Sequence, residues 1–380
     1  MSEIKVNSIK GVGASAAAIT VNNTDGTCTA NITNNLSNRR LTINGAMTIS
    51  QRGTSFADPA TGSYTLDRFN IQNTSGTPAF TVTQDTDAPH GFNNSLKVAC
   101  TTADASPAAG SITRLRYKIE AQDLQPLAKG TSSAKASSLS FYVKTNKTGV
   151  YTVFVYDDDN NRMFSASYTV SDTNWNRYTI IIPADTTGAI NDDNGTGFVI
   201  HWGLSLGSDR TSGSLASAWA TYATANESVG NVNFADNTSN VWAITGVQLE
   251  VGSVATDFEH RSFGQERALC QRYFCAYGST VDNIQNGDRL GCGISTGSNT
   301  AIVTIPTGSK LRAFPTVSFS SGVTINDAAG GPDVSSISRS VAYNGHAQIQ
   351  FVTNPSSLTS GNAAHIRFGS TSYLHLSAEL

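Results

Sequence analysis

Short runs in which hydrophobic and polar residues alternate, separated by turn-forming residues, dominate the middle of the chain. A period of two residues places one side of each run in a core and the other in solvent, which predicts β-strands. The turn-rich connections between these runs predict a single β sandwich from about residue 64 to residue 260. The predicted strands are 79–84, 95–100, 111–119, 137–144, 149–156, 163–170, 176–182, 198–206 and 241–251.

The segment from residue 207 to residue 240 is the longest stretch of this region without such a period, and it is rich in Ser, Ala and Asn. Loops of this length are usually functional or lie at an interface. We therefore expect this insertion to contribute to a binding or contact surface.

Helical spacing marks one later segment, 263–277, where Leu269 and Tyr273 lie four residues apart on one face. This pattern predicts a short helix that connects the sandwich to a second β region. Alternation resumes after residue 278, and residues 263–380 are therefore predicted to form the helix plus a C-terminal β sandwich. The predicted strands of that sandwich are 301–305, 316–319, 323–325, 337–342, 347–352 and 365–368.

The first 50 residues are polar and only weakly patterned, with alternating pairs such as Ile19 and Val21 and a turn signal at Asn44-Gly45. This pattern predicts hairpins or intertwined strands. This segment has too few hydrophobic residues to build a core alone. It is therefore expected to need copies of itself or a docking surface.

Composition narrows the class of protein. A chain of 380 residues is long enough for two or three domains, and its 39% hydrophobic residues are sufficient for real cores. Charged residues make up only 14%, and the net charge of −3 gives no overall basic character, which argues against a nucleic-acid partner. No apolar run of about 18 residues occurs, so membrane insertion is not expected.

The cysteines do not suggest a disulfide framework. They are odd in number and show no repeated spacing, which favours buried free thiols in a protein made and folded in a reducing cytoplasm. These residues are Cys28, Cys100, Cys270, Cys275 and Cys292.

One acidic cluster is a candidate metal site. Asp157, Asp158 and Asp159 lie between two predicted strands, and their oxygens are the ligands that calcium prefers. The alternative is a plain hairpin turn, since Asp and Asn are the residues that such turns favour. No cofactor is expected to be required.

Aromatic residues supply the candidate ligand site. Trp202 and Trp242 lie within predicted strands and are expected in the core. Trp175 lies in a turn, and Trp219 and Tyr222 lie in the long insertion, so these three are the candidates for an exposed platform that stacks on a sugar ring. A contact between subunits is the alternative role for them.

No catalytic pattern is present. The sequence contains no phosphate-binding P-loop. A glycosidase needs two carboxylates about 5–10 Å apart, and nothing singles out a pair such as Asp67 and Glu259. The protein is expected not to be an enzyme.

Two segments resemble a known family. Residues 44–70 read NGAMTISQRGTSFADPATGSYTLDRFN, and residues 244–274 read ITGVQLEVGSVATDFEHRSFGQERALCQRYF. Both are similar to segments of bacteriophage tail-fibre and other appendage proteins, where a "GVQLExGxxATxFE…LCQRY" pattern closes a jelly roll similar to carbohydrate-binding modules. The opening MSEIKVNSI also resembles the anchors of phage fibres. In modules of this kind a structural calcium often lies near the terminal strands, which makes Glu250 and Glu259 further candidates.

The resemblance implies an all-β, intertwined homotrimer in the virion. Residues 1–50 would be the virion-attachment segment and bind other virion proteins, 51–262 the carbohydrate-binding-module-like jelly roll, and 263–380 the helix and C-terminal β domain. The function so implied is a structural tail fibre or appendage that recognises a host-surface glycan. The alternatives are a purely structural capsid decoration or head-fibre protein and, third, a polysaccharide depolymerase.

Overall fold

The computed structural model describes residues 7–10, 12, 19–21, 28–30, 38–74, 78–278 and 288–380. The predicted all-β class is confirmed, since antiparallel sheets account for nearly all regular structure in these ranges. No helix in the described ranges is both long and apolar enough to cross a membrane. Short 3-10 helices lie in the connections at Ala121–Leu127, Ser208–Arg210, Thr224–Asn226 and Phe234–Asp236.

Three short strands near the start of the chain form a small antiparallel sheet in the order β1-β2-β3. They are β1 (Ser8–Ile9), β2 (Ile19–Val21) and β3 (Cys28–Ala30). Asp25-Gly26, a second pair typical of hairpin turns in this segment, lies outside the described residues.

The central region is a β sandwich of two six-stranded sheets, and the chain passes repeatedly from one sheet to the other, as expected for a jelly roll. Sheet one has the order β14-β11-β10-β13-β8-β5, and sheet two has the order β12-β9-β15-β7-β6-β4. The strands are β4 (Ser55–Ala57), β5 (Phe69–Asn73), β6 (Ala79–Asp85), β7 (Ser95–Thr102), β8 (Ile112–Glu120), β9 (Ser137–Thr145), β10 (Gly149–Asp157), β11 (Arg162–Val170), β12 (Asn176–Ile182), β13 (Thr196–Leu206), β14 (Ala220–Thr221) and β15 (Val241–Val251).

The core of the sandwich lies between the two sheets and follows the alternation in the sequence. Trp202 of sheet one and Trp242 of sheet two are both fully buried, which confirms the prediction for them. The ring of Phe141 in sheet two meets that of Trp202 edge-on, with centroids 5.9 Å apart. Such contacts tie the two inner faces into one continuous core.

Residues 38–50 contain no strand, contrary to the alternation-based prediction for this part of the N-terminal segment. They pack on the sandwich instead: the Leu41 amide donates to the Leu249 carbonyl at 2.8 Å, and the Val247 amide donates to the Gly45 carbonyl at 2.9 Å. A Cβ at Gly45 would lie 2.0 Å from the Val247 oxygen, so only glycine permits this approach. A bulge in β15 between Thr245 and Gln248 accompanies the contact.

The connecting helix α1 (Phe263–Gln271) is shorter than predicted. It begins at a capping box formed by Ser262 and Gln265. The prediction of helix up to residue 277 is wrong, because Phe274–Gly278 pairs with the final strand of the chain and is buried along its whole length. Pairing with a distant strand therefore overrides the helical spacing of this segment.

The C-terminal strands close into a six-stranded barrel, in the order β17-β18-β22-β21-β20-β23, where a β sandwich was predicted. Beside the barrel lies a three-stranded sheet in the order β16-β24-β19. The strands are β16 (Phe274–Gly278), β17 (Arg289–Ser295), β18 (Thr300–Pro306), β19 (Thr316–Phe319), β20 (Val323–Asn326), β21 (Asp333–Tyr343), β22 (His346–Asn354), β23 (Ala363–Phe368) and β24 (Tyr373–Ser377).

The thiol prediction is confirmed for three cysteines and wrong for one. Cys100, Cys270 and Cys275 are free and buried, whereas Cys292 is free and exposed. Cys292 lies on β17, where two glycines interrupt the alternation, so the pattern does not indicate which side of this strand faces the core.

Candidate functional site

The outer face of sheet one carries a cleft at the middle of strands β8, β13 and β10. Antiparallel pairing sets Arg116 opposite His201 and His201 opposite Phe154, which makes one row of side chains across the three strands. The next row is Lys118, Val199 and Tyr156. Two adjacent rows that mix cationic and aromatic side chains therefore line the floor of the cleft.

Alternation along β8 explains why its cationic side chains face outward. Leu115 and Tyr117 are buried in the sandwich core, so Arg114, Arg116 and Lys118 lie on the opposite side of the strand. A single strand thus presents three cations spaced two residues apart.

Aromatic rings form the middle and one wall of the cleft. Phe154 and His201 stack with centroids 4.6 Å apart and planes 10° apart. Tyr156 meets Tyr222 edge-on, with centroids 5.2 Å apart. Tyr156 and Tyr222 are both partly exposed, so their rings are available to a ligand.

The long insertion, residues 207–240, forms the wall that contains Tyr222. Its anchor is the buried Glu227 carboxylate, which accepts from Arg114 Nη1 at 2.8 Å, Arg210 Nη1 at 2.7 Å and the Tyr222 hydroxyl at 2.6 Å. These contacts hold the insertion against the outer face of sheet one. The expectation that the insertion contributes to a surface agrees with this position.

A second anchor of the insertion lies at Gly203. Asn231 Oδ1 accepts from both the amide and the hydroxyl of Thr152, each at 2.9 Å. A Cβ at Gly203 would lie 2.8 Å from this same Asn231 oxygen and 2.8 Å from the Thr152 hydroxyl. The missing side chain at Gly203 is therefore what lets the insertion approach the sheet.

Burial and neighbouring cations set the protonation states in the cleft. Burial, and then Arg114, Arg116, Lys118 and Arg210, hold the pKa of His201 well below its usual range, so its imidazole is neutral at pH 7. Burial lowers the pKa of Arg114 to about 10 against the opposing effect of Glu227, and the group stays charged. His201 is 5% exposed, and its Nδ1 atom is buried without a hydrogen-bond partner in the described structure.

The cleft has a volume of about 330 Å³. It offers aromatic faces, an imidazole and several N–H donors to one ligand. Such a combination suits a compact polar molecule with some apolar surface. Its lining residues are Arg114, Arg116, Lys118, Phe154, Tyr156, Asp158, Val199, His201, Tyr222 and Glu227.

A larger cavity of about 660 Å³ lies where residue 38, residues 259–272 and residues 309–310 meet. Polar groups along it already bond to protein partners. Glu259 accepts from the backbone amides of Asn38, Arg39 and Arg40, and Arg272 makes two hydrogen bonds of 2.7 Å to Glu120. This cavity is therefore a seam between packed segments, and the smaller cleft is the better candidate site.

Trp175 lies away from the cleft, at the end of sheet two. Its indole Nε1 donates to Asp87 Oδ1 at 3.0 Å, and the same carboxylate pairs with Lys144. Trp175 is partly exposed. The structure does not bring Trp175 together with Trp219 and Tyr222.

Trp219 and Tyr222 lie close in sequence but differ in their surroundings. Trp219 packs against the sandwich core, and its Nε1 donates to the Pro183 carbonyl at 2.8 Å. The Lys129 ammonium lies 5.0 Å from its ring centroid. Of the three predicted platform residues, Tyr222 is the one that lines the cleft.

The acidic cluster does not fit a calcium ion. Asp157 is buried, and its carboxylate accepts from Lys129 Nζ at 2.5 Å; that ammonium also contacts Asp185 at 3.0 Å and the Thr187 and Gly188 carbonyls. The ammonium thus occupies the position where a cation would gather these oxygens.

The other two members of the cluster face elsewhere. Asp158 lines the cleft, and Asp159 accepts from the amide and side chain of Asn191. Glu250 accepts from Gln248 and Thr256. Within the described ranges no three His, Cys, Asp or Glu side chains converge as a metal-binding group. A calcium elsewhere stays an implication of the resemblance.

Sequence reasoning missed most of the cleft. The segment TRLRYKIE in β8 carries the signal, because its cations alternate with core residues in the manner of an outward-facing row. No such alternation marks Phe154 or His201. Each lies in a strand that has mostly apolar or buried residues on both of its sides. Only strand pairing shows that they share one face with Arg116.

No protein-family model matches the chain, and no curated relative matches it either.

Solved structures with detectable similarity include a proposed sugar-binding protein and several carbohydrate-binding modules. One is a proposed sugar-binding protein from Bacteroides thetaiotaomicron, 11% identical, covering 56% of this chain and 100% of its own, with a TM-score of 0.32. The family 11 carbohydrate-binding module from Clostridium thermocellum, in complex with a β-1,3-1,4-mixed-linked tetrasaccharide, is 11% identical, covering 55% and 98%, with a TM-score of 0.26. The module TmCBM61, in complex with β-1,4-galactotriose, is 11% identical, covering 56% and 99%, with a TM-score of 0.25. Similarity this low supports no conclusion about the ligand of this chain.

Proposed function

We propose that the protein binds a saccharide in the cleft on the outer face of sheet one. The observation that carries this proposal is the placement of exposed aromatic rings, Tyr156 and Tyr222, beside the donors of Arg116 and His201 in one cleft of about 330 Å³. The C–H faces of a sugar ring pack on aromatic rings, while its hydroxyls bond to polar groups.

An array of bacterial surface oligosaccharides tests this proposal with three forms of the protein. Tyr156→Ala removes a partly exposed ring from the cleft, and we expect binding to weaken about tenfold or more, as for aromatic anchors of other binding sites. Trp175→Ala is the matched control, because it removes an exposed ring from the other sheet. If Trp175→Ala abolished binding and Tyr156→Ala did not, the ligand site would be the one at Trp175.

We further propose that the chain is a non-enzymatic structural appendage of a bacteriophage virion, a homotrimeric tail fibre that needs no cofactor. The supports are the motifs at 44–70 and 244–274 and the opening MSEIKVNSI. Threefold copies would strengthen weak glycan contacts through avidity. Light scattering of the purified chain tests the oligomer, and a monomer would contradict it.

Attachment to the virion is tested by deleting residues 1–37. Residues 38–50 must be kept, because the Ile43 amide donates to the buried Tyr117 hydroxyl and the Arg40 guanidinium pairs with Glu266 inside the protein. The deleted form is expected to fold and to be absent from particles. Gold-labelled antibody against residues 263–380 then locates the full-length chain; label at the tail supports the tail fibre, and label over the head supports the capsid decoration.

A further inference from the structure

The cleft has a charge opposite to that of the whole protein. The chain carries a net charge of −3. Among the described residues that line the cleft, however, three are cationic (Arg114, Arg116 and Lys118) and two are acidic (Asp158 and Glu227), and a fourth cation, Arg210, pairs with Glu227 beside it. A local excess of positive charge in an acidic protein needs a specific explanation.

The cations differ in how far the protein neutralises them. Arg114 and Arg210 share the buried Glu227 carboxylate. The Lys118 ammonium donates to the backbone oxygen of Leu380 at 2.8 Å. Within the described part of the chain, Arg116 makes no ion pair, and its one hydrogen bond runs from Nε to Asn70 Oδ1 at 2.8 Å.

The single hydrogen bond of Arg116 fixes the guanidinium in place. With Nε held by Asn70, the two Nη groups remain as a forked pair of donors, and Arg116 is one of the residues that line the cleft. A planar fork of this kind matches the two oxygens of a carboxylate or two oxygens of a phosphate.

A second observation points to a polar ligand at the same place. His201 lies directly opposite Arg116 in the strand register, lines the same cleft, is 5% exposed, and has a buried Nδ1 atom with no partner in the described structure. A buried polar atom without a partner is costly. The cation and this imidazole therefore lie side by side on the lining of one cleft.

From this geometry we propose that the cleft selects saccharides with an anionic group on the sugar ring, and that Arg116 is the residue that determines this selectivity. The inference rests on the proposed saccharide binding and adds the class of sugar. The anion lies against the Nη groups of Arg116, and the ring of the same sugar or its neighbour packs on Tyr156 and Tyr222. Uronic acids, sialic acids and phosphorylated sugars share this chemistry.

The test is an array of matched oligosaccharide pairs, probed with the full-length protein. Each uronate or sialate oligosaccharide is paired with its carboxyl-reduced form, and each phosphorylated one with its dephosphorylated form. Two variants are compared with the wild type: Arg116→Gln, which keeps a polar partner for Asn70, and Lys144→Gln, which removes the same charge from the outer face of sheet two. A single-stranded oligonucleotide is included as a different anionic polymer.

We expect at least one anionic oligosaccharide to bind about tenfold or more tightly than its neutral partner, as charge-assisted hydrogen bonds provide. Arg116→Gln should abolish this preference and Lys144→Gln should leave it unchanged. Binding of the carboxylated members would identify the anionic group as a carboxylate, and binding of the phosphorylated members would identify it as a phosphate. Raising the salt concentration should weaken binding to the anionic member more than to its partner.

Each other outcome overturns a defined part of the argument. Equal binding of neutral and anionic members, or a preference retained in Arg116→Gln, rejects the anion selectivity and leaves saccharide binding intact. Absence of binding to every oligosaccharide rejects the proposed function itself. Binding to the oligonucleotide alone, lost in Arg116→Gln, would assign the cleft to nucleic acid instead.

Discussion

The two outer faces of the sandwich are both built from antiparallel strands but have different surroundings. On sheet one, His201 is 5% exposed and Phe154 is 2% exposed, although both side chains face away from the core. On sheet two, Ile181 is 41% exposed, and the Lys144–Asp87 pair lies open to solvent. The difference arises because the 207–240 insertion lies over part of sheet one.

The covering insertion changes the chemistry of the face beneath it. Burial lowers the pKa of His201 and Arg114 on sheet one, and a buried carboxylate, Glu227, balances two cations there. Charges on sheet two are screened by water, where ion pairs contribute little. One loop can therefore turn the polar face of a sheet into a desolvated cleft, where each charge has more influence on stability and binding.

The largest effect is expected from Glu227→Gln. This change removes the charge that balances buried Arg114 and partly buried Arg210, and loss of one partner from a buried pair costs about 3 kcal/mol or more. Denaturant unfolding measures the free energy of unfolding. The control is Asp87→Asn on sheet two, and an equal loss in both variants would remove the distinction between the faces.

A smaller loss is expected from Gly203→Val. The added side chain would meet Asn231 and Thr152 at the second anchor of the insertion, and overpacking of this kind costs about 1–3 kcal/mol. Proteolysis within residues 207–240 should become faster, because the insertion is displaced from the sheet. Unchanged protection of the insertion would show that Gly203 is not needed for its position.

The pH dependence of stability provides a third comparison. His201 is neutral in the folded protein, while the unfolded chain binds a proton below the ordinary histidine pKa of about 6.5. The unfolded state then binds more protons, so stability falls as the pH decreases below about 6.5, by up to about 1.4 kcal/mol per pH unit.

His201→Gln should flatten this dependence when unfolding free energies are measured between pH 7 and pH 5. Burial also lowers the pKa of His375, to about 4, so His375→Gln should flatten it as well. His90→Gln provides the control, because His90 lies exposed on a loop beside sheet two. A His201→Gln slope equal to that of the wild type would contradict the buried, neutral state.

The smallest effect is expected from Lys144→Gln. Its pair with Asp87 spans 2.7 Å, but the side chains are 38% and 54% exposed. Pairs of this kind contribute less than about 1 kcal/mol. Thermal unfolding should show a midpoint close to that of the wild type, and a loss comparable to that of Glu227→Gln would mean that sheet two is covered in solution.

Nine strands of the sandwich were predictable because they depend on local alternation, whereas the short strands β4, β5 and β14 were not predicted. The predicted segments 176–182 and 241–251 agree with β12 and β15 at both ends, and the others differ by one or two residues. The helix prediction was too long at its end, since the pairing of β16 with β24 joins residues about 100 positions apart along the chain. Closure of the C-terminal barrel depends on similar long-range pairings.

The candidate site was predictable only in part. Tyr222 was chosen because the insertion looked functional, and it lies in the cleft. Trp219 was chosen for the same reason, but it packs on the core. Asp157 looked like a calcium ligand, because no local feature reveals that Lys129, 28 residues earlier, supplies the opposing charge.

The sequence by itself determined most strands of the sandwich and, where alternation is clear, which side of a strand is apolar, because these properties depend on neighbours two positions apart. It could not determine which outward-facing residues share a row. Arg116, His201 and Phe154 meet only through the register of three antiparallel strands, and Glu227 reaches them only because Gly203 leaves room for the insertion. The tertiary structure therefore decided where the cleft lies and what charge it carries.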